Sequence, residues 1–183
     1  MKTILQVEDD PNDVFLLQHA MKKTGVTNPL QVASDGRQAI DYLHGAGTYA
    51  DRGRFPFPCL VLLDLKLPYV MGLEVLRWIR QQPGAALPVV MLTASGEDGD
   101  IAAAYQLGAN AFLTKPSEAS KLEDMVKAIK DFWLTHNTLP QSTESSPKSP
   151  VSAVGSANGF AVKDPTRSWT APGKVPCRSE SSR

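Results

Sequence analysis

The 183-residue sequence predicts an α/β fold, a doubly wound parallel sheet of five strands in the order 2-1-3-4-5 with five helices. Three observations predict it. Strand-like and helix-like segments alternate five times along the chain. The strand-like runs are apolar without polar alternation, as expected of parallel strands covered on both faces. Four of those runs end in polar residues, at what such a fold makes into one carboxyl edge.

The first strand spans about 3–8 and runs into Glu8, Asp9 and Asp10. Pro11 then suits the first turn of a helix capped by Asp10, with Val14, Leu17 and Met21 on one face. A second strand at 30–34 precedes a helix from Gly36 to His44, whose inner face carries Ala39, Ile40 and Leu43. The third strand, 59–64, closes on Asp64 and turns sharply at Leu65, Lys66, Leu67 and Pro68. Its helix, Leu73 to Gln82, puts Leu73, Leu76, Trp78 and Ile79 inward or near it and stops before Pro83 and Gly84. The fourth strand, 88–93, ends in Thr93, Ala94 and Ser95. The helix after it is alanine-rich, follows Gly96 and Gly99, and has little side-chain area to anchor it, so it is expected to shift easily. The fifth strand, 111–114, leads to Lys115 and Pro116. Ser117 or Ser120 starts the last helix, with Leu122, Met125, Val126, Ile129, Phe132 and Trp133 as its stripe.

Two segments stand outside this alternation. Gly45 to Pro58 is a long connection whose aromatics, Tyr49, Phe55 and Phe57, are expected to cover an edge of the core. Residues 141–183 hold ten serines and five prolines with isolated Phe160 and Trp169. That composition buries too little to offset its ordering entropy, so a folded domain over 1–140 and a disordered Ser/Pro-rich tail over 141–183 are expected.

Charge excludes several classes. Residues 1–140 carry 16 acidic and 13 basic side chains, and 141–183 carry 3 and 6, so neither part is basic enough for nucleic acid. The longest apolar run, Cys59 to Leu63, is too short for a membrane span. The N-terminus runs directly into a strand without a signal pattern. Cys59 and Cys177 make no disulfide framework, and His19, His44 and His136 are scattered. A reduced, cytoplasmic protein is expected.

At the predicted edge, Glu8, Asp9 and Asp64 bring three negative charges into one crevice at the point where the strand order reverses. Lys115 offsets one, and a magnesium ion would offset two. Magnesium favours a few carboxylate or carbonyl oxygens. Asp9 and Asp64 suit direct ligation, Glu8 ligation through water, and the backbone carbonyl of Lys66 completes the set. Asp64 then has the placement of a nucleophile toward a phosphoryl group, with Lys115 neutralising the transferring oxygens and Thr93 hydrogen-bonding one of them.

The strings Val7-Glu8-Asp9-Asp10-Pro11-Asn12-Asp13, Leu62-Leu63-Asp64-Leu65-Lys66-Leu67-Pro68, Leu92-Thr93-Ala94-Ser95 and Gly108-Ala109-Asn110-Ala111-Phe112-Leu113-Thr114-Lys115-Pro116 resemble the receiver domain of two-component response regulators. The resemblance covers residues 3 to about 135, with the four motifs in the family's order. It implies a flavodoxin-like fold, Asp64 as phosphoacceptor, Glu8 and Asp9 as the metal-binding acid pair, Thr93 as switch hydroxyl, Lys115 as the family's lysine and Phe112 as switch aromatic. It also implies a sensor histidine kinase as phosphoryl donor. The Gly45 to Pro58 connection, and a chain that ends soon after the last helix, resemble the single-domain regulators that partner phytochrome-type kinases. Phe112 has no hydroxyl where the family often has tyrosine, and the 43-residue tail has no counterpart in the minimal domain.

Other readings fit less well. A dehalogenase-like phosphatase needs a second aspartate two residues after the nucleophile, where this chain has Lys66. A flavin or dinucleotide carrier needs a phosphate-cradling loop after the first strand, where this chain has acids. A pseudo-receiver that works without phosphorylation is the remaining alternative, and the intact acid set with Lys115 counts against it. A non-enzymatic phosphoacceptor is therefore expected. It would signal to a downstream protein, or form a homodimer, through the surface of the fourth helix, fifth strand and fifth helix.

Overall fold

The computed structural model describes residues 2–82, 86–94 and 96–138. The tail expected from residue 141 onward lies outside them. In chain order the elements are β1 (Thr3–Val7), α1 (Pro11–Lys23), β2 (Leu30–Ala33), α2 (Gly36–His44), β3 (Pro58–Leu63), α3 (Gly72–Gln81), β4 (Val89–Thr93), α4 (Asp98–Gln106), β5 (Ala111–Thr114) and α5 (Ala119–Ile129). The strands form one parallel sheet in the order β2-β1-β3-β4-β5, as the alternating pattern predicts.

The register explains the shared edge. Val7 sits opposite both Ala33 and Leu63, so Glu8 and Asp64 leave adjacent strands at the same level. Thr93 sits opposite Thr114, which carries Lys115 to that edge from the far side. Alternating side chains then divide two cores. Leu5, Val7, Val61 and Leu63 pack with Tyr42, Val75, Leu76 and Ile79 from α2 and α3. Ile4, Leu60, Leu62 and Leu92 pack on the other face with Leu17 and Met21 of α1 and Leu122, Val126 and Ile129 of α5. Burying both faces is the dominant stabilising term, at about 25 cal/mol per Å2 of apolar surface.

Helix ends follow local chemistry. Asp10 caps α1 as expected, its carboxylate accepting from the Asn12 amide at 2.8 Å, with Pro11 in the first turn. At α5 the N-cap is Glu118, without a side-chain bond, so neither Ser117 nor Ser120 takes that place. The expected apolar stripe of α5 also breaks. Residues Lys130–His136 continue the helix in the wider π form. The extra residue per turn shifts the helical phase, leaving Trp133 against the core but Phe132 57 % exposed.

The Gly45 to Pro58 connection is folded. Tyr42 of α2 is buried and donates to the Pro56 carbonyl at 2.7 Å, while Tyr49 and Phe55 pack their rings on it at 5.3 and 6.2 Å. Arg52 donates to the carbonyls of Tyr42 and Leu43, each at 2.8 Å, and so caps the last turn of α2. Phe57 does not join the cover. It is exposed beneath the Arg52 guanidinium, 5.9 Å from its ring centre.

Arg80, near the end of α3, donates to the carbonyls of Leu87 and Gly108, each at 2.9 Å, and to Asn110 Oδ1 at 2.8 Å. The same Asn110 oxygen accepts from the Val89 amide at 2.9 Å. One guanidinium thus ties α3 to the start of β4 and to the turn between α4 and β5. By contrast α4 buries only Ala104 along its length.

Candidate functional site

Asp64 leaves β3 nearly buried, and its Oδ1 accepts from the backbone amides of Leu65 and Lys66. The turn that supplies those amides is held closely from two sides. A β-carbon on Gly72 would lie 2.0 Å from the Asp64 carbonyl oxygen, and one on Gly36 would lie 2.0 Å from that of Val70. Only glycine permits α2 and α3 to approach the loop so closely. Tyr69, at the tip, adopts a left-handed φ of 64° and is exposed.

Glu8 is buried at the end of β1, and Asp9 beside it is exposed. Carboxylate oxygens of Glu8, Asp9 and Asp64 lie within 4.8 Å of one another. This all-oxygen, hard donor set fits a divalent cation of the magnesium or manganese type, not a soft metal that prefers sulfur or imidazole. The three acids singled out from sequence therefore converge. The Lys66 side chain is exposed, and it is the Lys66 amide that engages Asp64.

Lys115 spans the cluster. Its ammonium donates to Glu8 Oε2, to Asp64 Oδ2 at 2.8 Å and to Asp13 Oδ2 at 2.8 Å. Asp13 was not among the residues picked out from sequence. It enters from the first turn of α1, where a carboxylate already has an ordinary explanation in the helix dipole. With Asp13, three carboxylates bind a single ammonium.

Electrostatics follow from this crowding. Burial pushes the Glu8 carboxyl up to about 7, against the opposing hydrogen bond and charge of Lys115. Burial alone would lower the Lys115 ammonium, but its bonds to Asp13, Asp64 and Glu8 outweigh that and raise it. The lysine stays charged across the physiological range.

Thr93 is buried at the end of β4, and its carbonyl accepts from the Lys115 amide at 2.7 Å. Phe112 lies half-buried on β5, opposite Met91, with a ring edge 3.4 Å from where a Gly96 β-carbon would sit. It flanks Gly96 in the loop after Thr93.

Residues 4–127 match the model of the response regulator receiver domain. The chain belongs to that family. Its receiver domain is 41 % identical over 140 residues to the response regulator Rcp1 of Synechocystis sp., covering 76 % of this chain and 93 % of that one. The crystal structure of the phosphorylated cyanobacterial phytochrome response regulator RcpA superposes with a TM-score of 0.70 at 39 % identity, covering 76 % of this chain and 98 % of that one. The Mn(2+)-bound form of Rcp1 gives 0.69 at 40 % identity, covering 76 % and 99 %. The receiver domain is thus a signalling component of two-component systems, with an acid cluster able to hold a divalent metal. Among the described residues no helix is long and apolar enough to cross a membrane.

Proposed function

We propose that Asp64 accepts a phosphoryl group from a sensor histidine kinase and that the receiver domain signals through protein contacts. The observation that carries this reading is the bridge from Lys115 to both Glu8 and Asp64, which holds a buried nucleophile, a metal-type acid pair and a counter-charge at one sheet edge. In the transfer, an Asp64 carboxylate oxygen attacks phosphorus and the bond to the donor imidazole nitrogen breaks. The electron pair returns to that ring, and Asp64 is left as an acyl phosphate. The Lys115 ammonium then donates to the transferred oxygens, and the Thr93 hydroxyl binds another. Glu8, Asp9, Asp64 and the Lys66 carbonyl would hold magnesium, which supplies positive charge against those oxygens.

Thr93 and Phe112 form the switch in this reading. Phosphorylation adds roughly −1.5 to −2 charge at Asp64 and three acceptor oxygens. Thr93 turns toward them and vacates space that Phe112 can enter beside α4. The surface of α4, β5 and α5 is then the place for a target or a second copy of the chain. Similarity to a phytochrome response regulator, together with the folded Gly45 to Pro58 connection, supports a phytochrome-type kinase in the cytoplasm as donor.

Incubation with acetyl phosphate and Mg2+ tests the assignment. Mass spectrometry is expected to show one added phosphoryl group, lost in Asp64→Asn and strongly reduced without metal. Full labelling of Asp64→Asn would sink it.

A further inference from the structure

An ammonium has three N–H donors, and Lys115 spends all three on carboxylates: Glu8, Asp13 and Asp64. Two of those partners, Glu8 and Asp64, belong to the cluster suited to a metal, while Asp13 stands outside it. A cation that draws on Glu8 Oε2 and Asp64 Oδ2, the oxygens the lysine binds, loosens two of the three bonds that place it. The bond to Asp13 is the one such a cation leaves alone.

Asp13 is also built into its position. It sits in the first turn of α1, where the helix N-terminus favours a carboxylate. Behind it lies a cavity of about 40 Å3 lined by Gln6, Asp13 and Lys115 together with Leu17, Leu92 and Leu122. Gln6 is 2 % exposed, and its Oε1 has no hydrogen-bond partner among the described residues. A cavity of this size and polarity accommodates a water molecule. Gln6 and Asp13 both line it.

We infer that Asp13 is a positioning residue that keeps Lys115 over Asp64 when Glu8 and Asp64 turn to a metal, with Gln6 steadying Asp13 through a water. The inference rests on the reading of Asp64 as phosphoacceptor. An exposed ion pair would do little, but Lys115 is only 12 % exposed and Asp13 33 %. No bond is made or broken at Asp13 during transfer. It holds one donor of the ammonium, which leaves the other two free for the arriving phosphoryl oxygens.

The test uses the full chain, labelled with 15N, and reads the ammonium signal of Lys115 by NMR, assigned by its loss in Lys115→Arg. In the parent protein the signal is expected to persist at saturating Mg2+. In Asp13→Asn it should persist without metal, where Glu8 and Asp64 still hold the lysine, and vanish into solvent exchange when Mg2+ is added. Asp13→Glu should restore it, and Gln6→Leu should show a partial loss. At saturating acetyl phosphate, Asp13→Asn should be phosphorylated roughly tenfold more slowly, the low end of the cost of losing an outer-shell partner, while its Mg2+ affinity stays near the parent value. A protected Lys115 signal in Asp13→Asn with Mg2+ overturns the inference. If the parent chain is never labelled at Asp64, the phosphoacceptor reading fails instead, and the ammonium result still decides the role of Asp13.

Discussion

Gly72 lies so close to Asp64 that a β-carbon on it would sit 2.0 Å from the aspartate's carbonyl oxygen. The contact is backbone to backbone, so no side-chain rotation relieves it. Gly72→Ala is therefore expected to displace the loop that supplies the Leu65 and Lys66 amides to Asp64. Overpacking of this kind costs about 1–3 kcal/mol. Urea unfolding should show that loss, with amide shifts centred on 64–72, and a stability equal to the parent would contradict the geometry.

Glu8 makes stability depend on pH in a definite direction. Folded, its carboxyl is raised to about 7 by burial, from an ordinary value of 4.5. The folded chain thus holds a proton that the unfolded chain releases. This contribution is fully present below about 4.5 and is lost as pH rises through 7. In EDTA, the melting temperature of the parent relative to Glu8→Gln is expected to fall between pH 5.5 and 8. With Mg2+ the stabilisation added by metal should instead grow over that interval, because proton and cation compete for one carboxylate. A flat difference in EDTA would count against the buried, proton-binding Glu8.

The composition of residues 141–183, ten serines and five prolines with isolated Phe160 and Trp169, predicts that they add little to the core. A chain ending at Pro140 should melt within a few degrees of the full chain and be phosphorylated at a similar rate. A drop of ten degrees or more in thermal unfolding, well beyond the effect of about 1 kcal/mol, would show that the tail docks.

The proposed switch predicts where protection changes. Amide exchange with and without beryllofluoride should alter residues 96–114 and the exposed face around Tyr105. Changes confined to α1, with α4 and β5 untouched, would remove Thr93 and Phe112 from the mechanism.

Most of the site was legible because a parallel sheet gathers strand ends. Glu8, Asp64, Thr93 and Lys115 each close or follow an apolar run, and position along the edge follows from strand order alone. Asp13 was not legible in this way. An acid in a first helical turn has an ordinary explanation in the helix dipole, and its partner lies 102 residues on. Phe132 failed for a different reason, since the π turn after Ile129 changes the period on which the stripe was counted. Nothing local marks Arg52 or Arg80, because a guanidinium that binds distant carbonyls leaves no pattern in the sequence around it. Gln6 sits unannounced within an apolar strand.

The Arg80 tie has a mechanical consequence for α4. It clamps Gly108 just beyond the helix's C-terminal end, whereas the other end begins with Asp98, Gly99 and Asp100 and buries nothing. Nine residues make a lever of about 13 Å. A helix held at one end in this way is expected to swing about that end rather than to slide. A tilt too slight to disturb Gly108 is magnified toward Asp98, so a partner reading this face would meet a displaced pair of negative charges.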